Sequence, residues 1–326
     1  LPDALARVAR KNAVWIAVAV GLLYGLFMRL SFSFKFAQSW VSMMSITFIS
    51  LVPFCLGLIC VMVAERGGRR GPRIWLLLPW APAAAAMGAA LLLFWEGIIC
   101  VVLMLPAALI CSSLGGLLGA LIARKTGQSR TAVMLCCVAL PFVTGPIETR
   151  LASPREIRAV HTEIEIAASP ETVWNNIKRV PPIAREEQKF SWSQAIGFPA
   201  PIEATLSEES AGGVRRASFA RGVVFMETVR VWEPRQRLMF SIHADPATIP
   251  PTALDEHVTV GGPYFDVLEG EYRIESAGPG RVTLHLTSRH RLSTTFNFYA
   301  SLWSDAVMRD VQENILYVIK NRCERR

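Results

Sequence analysis

The chain reads as two fold classes in series: an α-helical transmembrane bundle, then an α+β unit with an antiparallel sheet set against a long C-terminal helix. Three observations lead there. Between Ala4 and Ile147 the only carboxylates are Glu65 and Glu96. The same stretch offers apolar runs of the length that crosses a bilayer, about 20 helical residues for about 30 Å of hydrocarbon. From Ile157 onward the apolar spacing changes to the alternation of half-buried strands. The mean hydropathy of +0.35 averages two regimes and describes neither.

Charge divides at the same place. Of 34 Lys+Arg and 26 Asp+Glu, 12 bases and 3 acids lie through Ile147, and 22 and 23 follow. The sequence pI near 9.4 therefore comes from the apolar half. There the bases sit in short loops between apolar runs, so they read as topology and exclude nucleic acid as a partner. Six of the seven cysteines (Cys55, Cys60, Cys100, Cys111, Cys136, Cys137) lie in apolar runs. With only Cys323 beyond them, the second half has no disulfide framework and no CxxC motif.

Five spans are predicted, over residues 13–30, 37–64, 74–95, 97–123 and 131–147. Arg7, Arg10 and Lys11 precede the first, and Arg29 and Lys35 follow it. Arg66, Arg69, Arg70 and Arg73 fill the second loop, and Arg124, Lys125 and Arg130 fill the fourth. Alternate crossings gather ten of these bases on one side, which the positive-inside rule assigns to the cytoplasm. The fifth run carries Pro141 and Pro146 and is at the lower length limit. If it crosses, everything after Ile147 is extracytoplasmic; if it is re-entrant, the second half returns to the cytoplasm. With Glu96 placed in a loop and small-residue runs at 81–88 and 115–120, this half reads as an anchor bundle, not a pore.

Residues 148–156 read as a linker, and 157–326 as the second unit. Val160, Thr162, Ile164 and Ile166 alternate with His161, Glu163 and Glu165 as a strand. Ser169-Pro170-Glu171 supplies an N-cap, a proline at the first helical position and an early acid. Strands are predicted over 202–206, 214–220, 223–232, 238–243, 264–274 and 282–292, with turns at Gly212-Gly213, Glu233-Pro234 and Gly278-Pro279-Gly280. A helix over 294–322 places Phe296, Ala300, Trp303, Val307, Val311, Ile315 and Ile319 on one stripe.

Strand, helix, a run of antiparallel strands and a long last helix resemble the helix-grip fold of the START/Bet v 1-like (SRPBCC) superfamily. Three local motifs agree with it: Ala168-Ser169-Pro170-Glu171-Thr172-Val173-Trp174, Trp232-Glu233-Pro234-Arg235-Gln236-Arg237-Leu238, and Tyr299-Ala300-Ser301-Leu302-Trp303. The resemblance covers about 157–322 and implies a cavity between sheet and helix. The superfamily includes lipid carriers and polyketide cyclases and dehydratases, so the site must decide the activity.

Strand parity assigns the concave face if no bulge intervenes. It receives Phe225, Glu227, Tyr264, Asp266, Leu268, Tyr272, Leu286, Ser288 and His290, with Phe296, Tyr299 and Trp303 from the helix, as expected ligand-binding residues. The connections 180–201 and 244–263 read as lids; in the first, Phe190, Trp192 and Phe198 interleaved with Arg185 and Lys189 suit the headgroup interface or, equally, a cover for the sheet edge. The expected function is a membrane-anchored binding or transfer protein for a lipid or other apolar small molecule. The alternative is a membrane-tethered cyclase or dehydratase using Glu227 or Asp266 as base and His290 as acid. No cofactor is expected. His161, His243, His257 and His285 fall on different elements without ligand spacing, so no metal site is expected either. The expected location is a bacterial inner membrane with the second unit in the periplasm.

Overall fold

A computed structural model describes residues 12–33, 42–125, 130–246 and 259–324. Arg7, Arg10, Lys11, Lys35, residues 37–41 of the second predicted span, the 126–129 loop and most of the 244–263 connection with His257 lie outside them. The contacts divide the chain into Leu1–Ser153 and Pro154–Arg326.

The first unit is helical. α1 is Ala13–Ser33; a π-helical turn at Thr47–Leu51 leads into α2, Val52–Ala64; α3 is Pro72–Leu77 and α4 Trp80–Leu92; α5 is Ile98–Lys125 and α6 Arg130–Glu148. Five of the resulting helical stretches are long and apolar enough to cross a membrane: Ala13–Ser33, Thr47–Gly67, Pro72–Leu92, Ile98–Lys125 and Thr131–Glu148. The second is the hub, with 72% of its most apolar window buried. Glycine lets the hub meet α5 at backbone contact. A Cβ on Gly57 would lie 1.9 Å from the Ser112 carbonyl oxygen, and one on Gly115 would lie 1.8 Å from that of Phe54. Close approach through small residues is the usual way helices associate where hydrophobic burial offers no preference.

The few polar groups join neighbouring helix ends. Arg29 on α1 pairs with Glu96 at 2.7 Å and donates to the Trp95 carbonyl at 2.6 Å. At the start of the hub, Ile46 and Thr47 donate their backbone N–H groups to the Glu148 carboxylate at 2.6 and 2.9 Å. An acid there satisfies orphan donors and faces the positive end of the helix dipole. Glu148, read from sequence as the first linker residue, is thus the buried last residue of α6. Elsewhere Arg124 on α5 donates to the Arg70 carbonyl at 3.3 Å and lies 4.2 Å above the Trp75 ring. The prolines of α6 do not interrupt it: the helix runs 19 residues through both.

The second unit is a seven-stranded antiparallel sheet with a long helix. Its elements are β1 Glu156–Ile166, α7 Pro170–Lys178, α8 Trp192–Ala195, β2 Pro201–Leu206, β3 Val214–Phe219, β4 Val224–Glu233, β5 Arg237–His243, β6 Phe265–Ser276, β7 Val282–Leu292 and α9 Asn297–Glu324. The order β1-β7-β6-β5-β4-β3-β2 sends the first strand back beside the last, as a helix-grip sheet requires. Ser169 caps α7 by accepting from the Thr172 N–H at 3.2 Å. Trp174 on that helix meets Trp232 edge-to-face at 4.9 Å, over a core of Ile166, Leu238, Tyr272, Leu284, Leu316 and Ile319. Where the sequence suggests a purely apolar stripe on α9, the buried face also carries Asp310, Gln312 and Asn314.

Register is interrupted between Val229 and Val231 on β4 and between Val267 and Glu269 on β6. Each bulge reverses which parity faces the helix.

Candidate functional site

Between the concave face and α9 lies a cavity of about 150 Å3. Ala217, Phe219, Phe225, Phe240, Val267, Tyr272 and Leu286 form its sheet wall; Val307, Met308, Val311 and Ile315 form its helix wall. Ile183, Phe198 and Pro199, from the connection between α7 and β2, cover one side, and Val260 another.

Three ionic side chains, Glu203, Arg215 and Glu227, interrupt this apolar lining, the last two as a pair. Arg215 on β3 and Glu227 on β4 are direct cross-strand partners, 4% and 5% exposed, and form a hydrogen-bonded ion pair. Arg215 also interacts electrostatically with Tyr272 and lies 5.2 Å above the Phe240 ring. Burial pushes the Glu227 carboxyl above its usual range, and Arg215 offsets that only in part. Burial works against the Arg215 charge, but Glu227 and Tyr272 outweigh it and hold the guanidinium protonated. Tyr272 is pushed up to about 12, chiefly by burial. The Arg215 Nε–H is buried without a hydrogen-bond partner. An unmet donor on a buried cation costs more than a typical hydrogen bond contributes, so it favours a ligand that supplies an acceptor.

Among the uncharged polar lining, Gln312 and Ser288 are committed to the protein. Gln312 donates to the Ser288 hydroxyl at 2.9 Å and to the Val160 carbonyl at 3.1 Å, and it accepts from Thr162 at 3.1 Å.

Of the residues expected at the site, Phe225, Glu227, Tyr272, Leu286 and Ser288 line this cavity; Tyr264, Asp266, Leu268, His290, Phe296, Tyr299 and Trp303 do not. The β6 bulge explains two of these. Leu268 is the extra residue, Val267 takes the inward place, and Asp266 is left off the concave face. The Asp266 carboxyl is raised by partial burial and answers to Arg291 and His243. His290 does face inward and is fully buried, but its Nε2 lies 3.0 Å from the Ser304 hydroxyl on α9, so helix contact fills that part of the face. Burial lowers its pKa, Asp305 opposes and Arg158 reinforces. Tyr299 and Trp303 stack edge-to-face at 6.3 Å, and Phe296 is buried just before α9. Glu227, Asp266 and His290 thus answer to different charged groups and do not form one acid–base set.

Arg215 is the residue that sequence reasoning missed. Its signal was parity with Ala217 and Phe219 on a strand beside Glu227, which needs the register to be read. His161 and His285 are on different strands, yet their rings stack at 5.4 Å, because β1 and β7 are neighbours.

No family model and no curated protein matches the chain. Among solved structures it is similar to a START superfamily protein from Mycobacterium smegmatis, at 13% identity and TM-score 0.33 over 51% of this chain and 97% of that one. It is also similar to an aromatase/cyclase from Streptomyces sp. R1128, at 16% identity and TM-score 0.31 over 51% and 94%. A truncated norcoclaurine synthase from Thalictrum flavum aligns at 12% identity and TM-score 0.31 over 54% and 98%.

Proposed function

We propose that this protein is a membrane-anchored binding protein whose helix-grip unit takes up an apolar molecule carrying one hydrogen-bond-accepting or anionic group. The observation behind it is the unmet, buried Arg215 Nε–H beside a largely apolar cavity. Apolar burial would supply affinity, at about 0.8 kcal/mol per CH2 removed from water. Arg215 would select the head group. Glu227 holds the guanidinium in place and keeps it from being an uncompensated buried charge.

A space of about 150 Å3 suits a benzene-sized body, well below the roughly 300–1,000 Å3 of drug-sized sites. A lipid would therefore require Ile183, Phe198 and Pro199 to move aside. The long connection that carries them is the kind of segment that serves as a lid. Anchoring would keep the unit at high effective concentration beside a cargo that dissolves poorly in water.

The alternation of paired helix ends supports five crossings, and with the basic loops it supports a cytoplasmic N-terminus and an extracytoplasmic second unit. In a double-membrane bacterium that unit is periplasmic. The acid–base alternative has no assembled trio behind it.

The test uses the full chain in detergent, with a fatty acid and its hydrocarbon analogue as competing probes. Both should bind, the acid more tightly. The double variant Arg215→Met/Glu227→Leu removes both charges together and should lose that preference by about tenfold or more, since hydrogen bonds to charged groups are worth about 1.5–3 kcal/mol. Ala217→Phe should block both probes. Equal binding of both probes by the native chain, or binding unaffected by Ala217→Phe, would refute the assignment.

A further inference from the structure

The outer face of the sheet carries a second constellation, remote in chemistry from the cavity. β1 and β7 are antiparallel, with Glu163 directly opposite His285 and His161 opposite Thr287. This register gathers two imidazoles and a carboxylate: one ligating atom each from His161, Glu163 and His285 lies within 4.8 Å of the others. The arrangement converges on a single oxygen. His285 Nδ1 lies 3.1 Å from Glu163 Oε2, and His161 Nε2 lies 3.5 Å from the same atom.

The far nitrogen of each ring is also placed. His161 Nδ1 is hydrogen-bonded to the Thr287 hydroxyl at 3.0 Å, whereas His285 Nε2, 3.3 Å from the Glu275 carboxylate on β6, makes no hydrogen bond to it. The His161 contact is of the kind that orients a metal-bound histidine, one nitrogen on the ion and the other donating to a hydroxyl, and Glu275 lies within a small side-chain turn of doing the same for His285. The nearby cation Arg273 is turned to Glu271 at 3.2 Å.

We propose that His161 Nε2, Glu163 and His285 Nδ1 form a site for a divalent transition-metal ion of the zinc class, with Thr287 orienting the His161 ring and the Glu275 carboxylate lying beside that of His285. Two imidazoles and one carboxylate suit Zn2+ or Co2+ over Mg2+ or Ca2+, which prefer all-oxygen sets. Metal–ligand bonds of about 2.0–2.2 Å put neighbouring ligand atoms of a tetrahedral ion roughly 3.5 Å apart. Closing from the present spacing takes side-chain torsion only, because His161 and Glu163 are exposed and have room to turn. Three protein ligands leave one coordination position open to water. The ion would clip β1, an edge strand, to β7, and so stabilise the sheet by binding only its folded state.

The experiment titrates the untagged full chain in detergent with ZnCl2 by calorimetry, and follows its thermal midpoint with and without EDTA. One saturable Zn2+ per chain is expected, with a midpoint raised by zinc and restored by EDTA. Glu163→Gln should weaken affinity by at least about tenfold, since even outer-shell partners of metal ligands cost that much. His161→Ala/His285→Ala should abolish both binding and the rise in midpoint on adding zinc, read against that variant's own midpoint in EDTA. Cobalt gives a second readout that does not depend on any variant: weak visible bands of a nitrogen- and oxygen-bound ion, without the strong thiolate charge-transfer band. Absence of saturable binding, binding retained by the double histidine variant, or a thiolate band that assigns the metal to cysteines would overturn the proposal.

Discussion

At the scale of single residues, burial decides what an ionisable side chain can do. His290 is fully buried and its pKa is lowered, so it stays neutral in the folded chain where an unfolded histidine would already take a proton. An unfolded histidine titrates near about pH 6.5, so the unfolded state binds more protons as the pH falls past that value. The contribution of His290 to stability is therefore intact above about pH 6.5 and is lost progressively below it. The thermal midpoint of the full chain should drop between about pH 7 and about pH 5, and His290→Gln should make that drop shallower. Parallel profiles for the two proteins would show that His290 is not the group responsible. Arg215 and Glu227 illustrate the same principle in a different way: each tolerates burial because the other is there.

At the scale of elements, contact distance and register matter more than composition. α2 and α5 touch through glycines, whereas a methyl group placed on Gly88 of α4 would have nothing within 4 Å of it. Alanine in place of a helical glycine ordinarily gains about 0.5–1 kcal/mol. Gly88→Ala should accordingly hold or raise the thermal midpoint in detergent, and Gly57→Ala should lower it, because its methyl would meet the Ser112 carbonyl. A midpoint for Gly57→Ala equal to that of Gly88→Ala would mean that the two helices do not approach through their backbones. The same dependence on detail governs β6, where one extra residue at Leu268 turns Asp266 away from the cavity and brings Val267 in.

For the whole molecule, the proposed anchoring raises the question of which side of a membrane the second unit would face. α6 runs unbroken to Glu148, whose carboxylate reaches the start of the second helix, so the fifth stretch is a continuous helix like its neighbours. A reporter active only in the cytoplasm, fused after residue 326, should be silent, and the same reporter inserted at 126–129 should be active. Activity at the C-terminal position would place the second unit in the cytoplasm and remove the extracytoplasmic reading.

The division into an apolar helical half and an α+β half was legible because composition and apolar period are local properties, each readable within a window of one element. The N-cap at Ser169 and the resemblance of the element order to a helix grip were legible for the same reason. The site was legible in part. Phe225, Glu227, Tyr272, Leu286 and Ser288 follow strand parity into the cavity, whereas Asp266 and Leu268 do not, because a bulge adds a residue without leaving a mark in the local pattern. Arg215 beside Glu227 and His161 beside His285 depend on which strands are neighbours and in what register. That pairing joins residues 12 and 124 positions apart in the chain, and only the folded sheet brings them together.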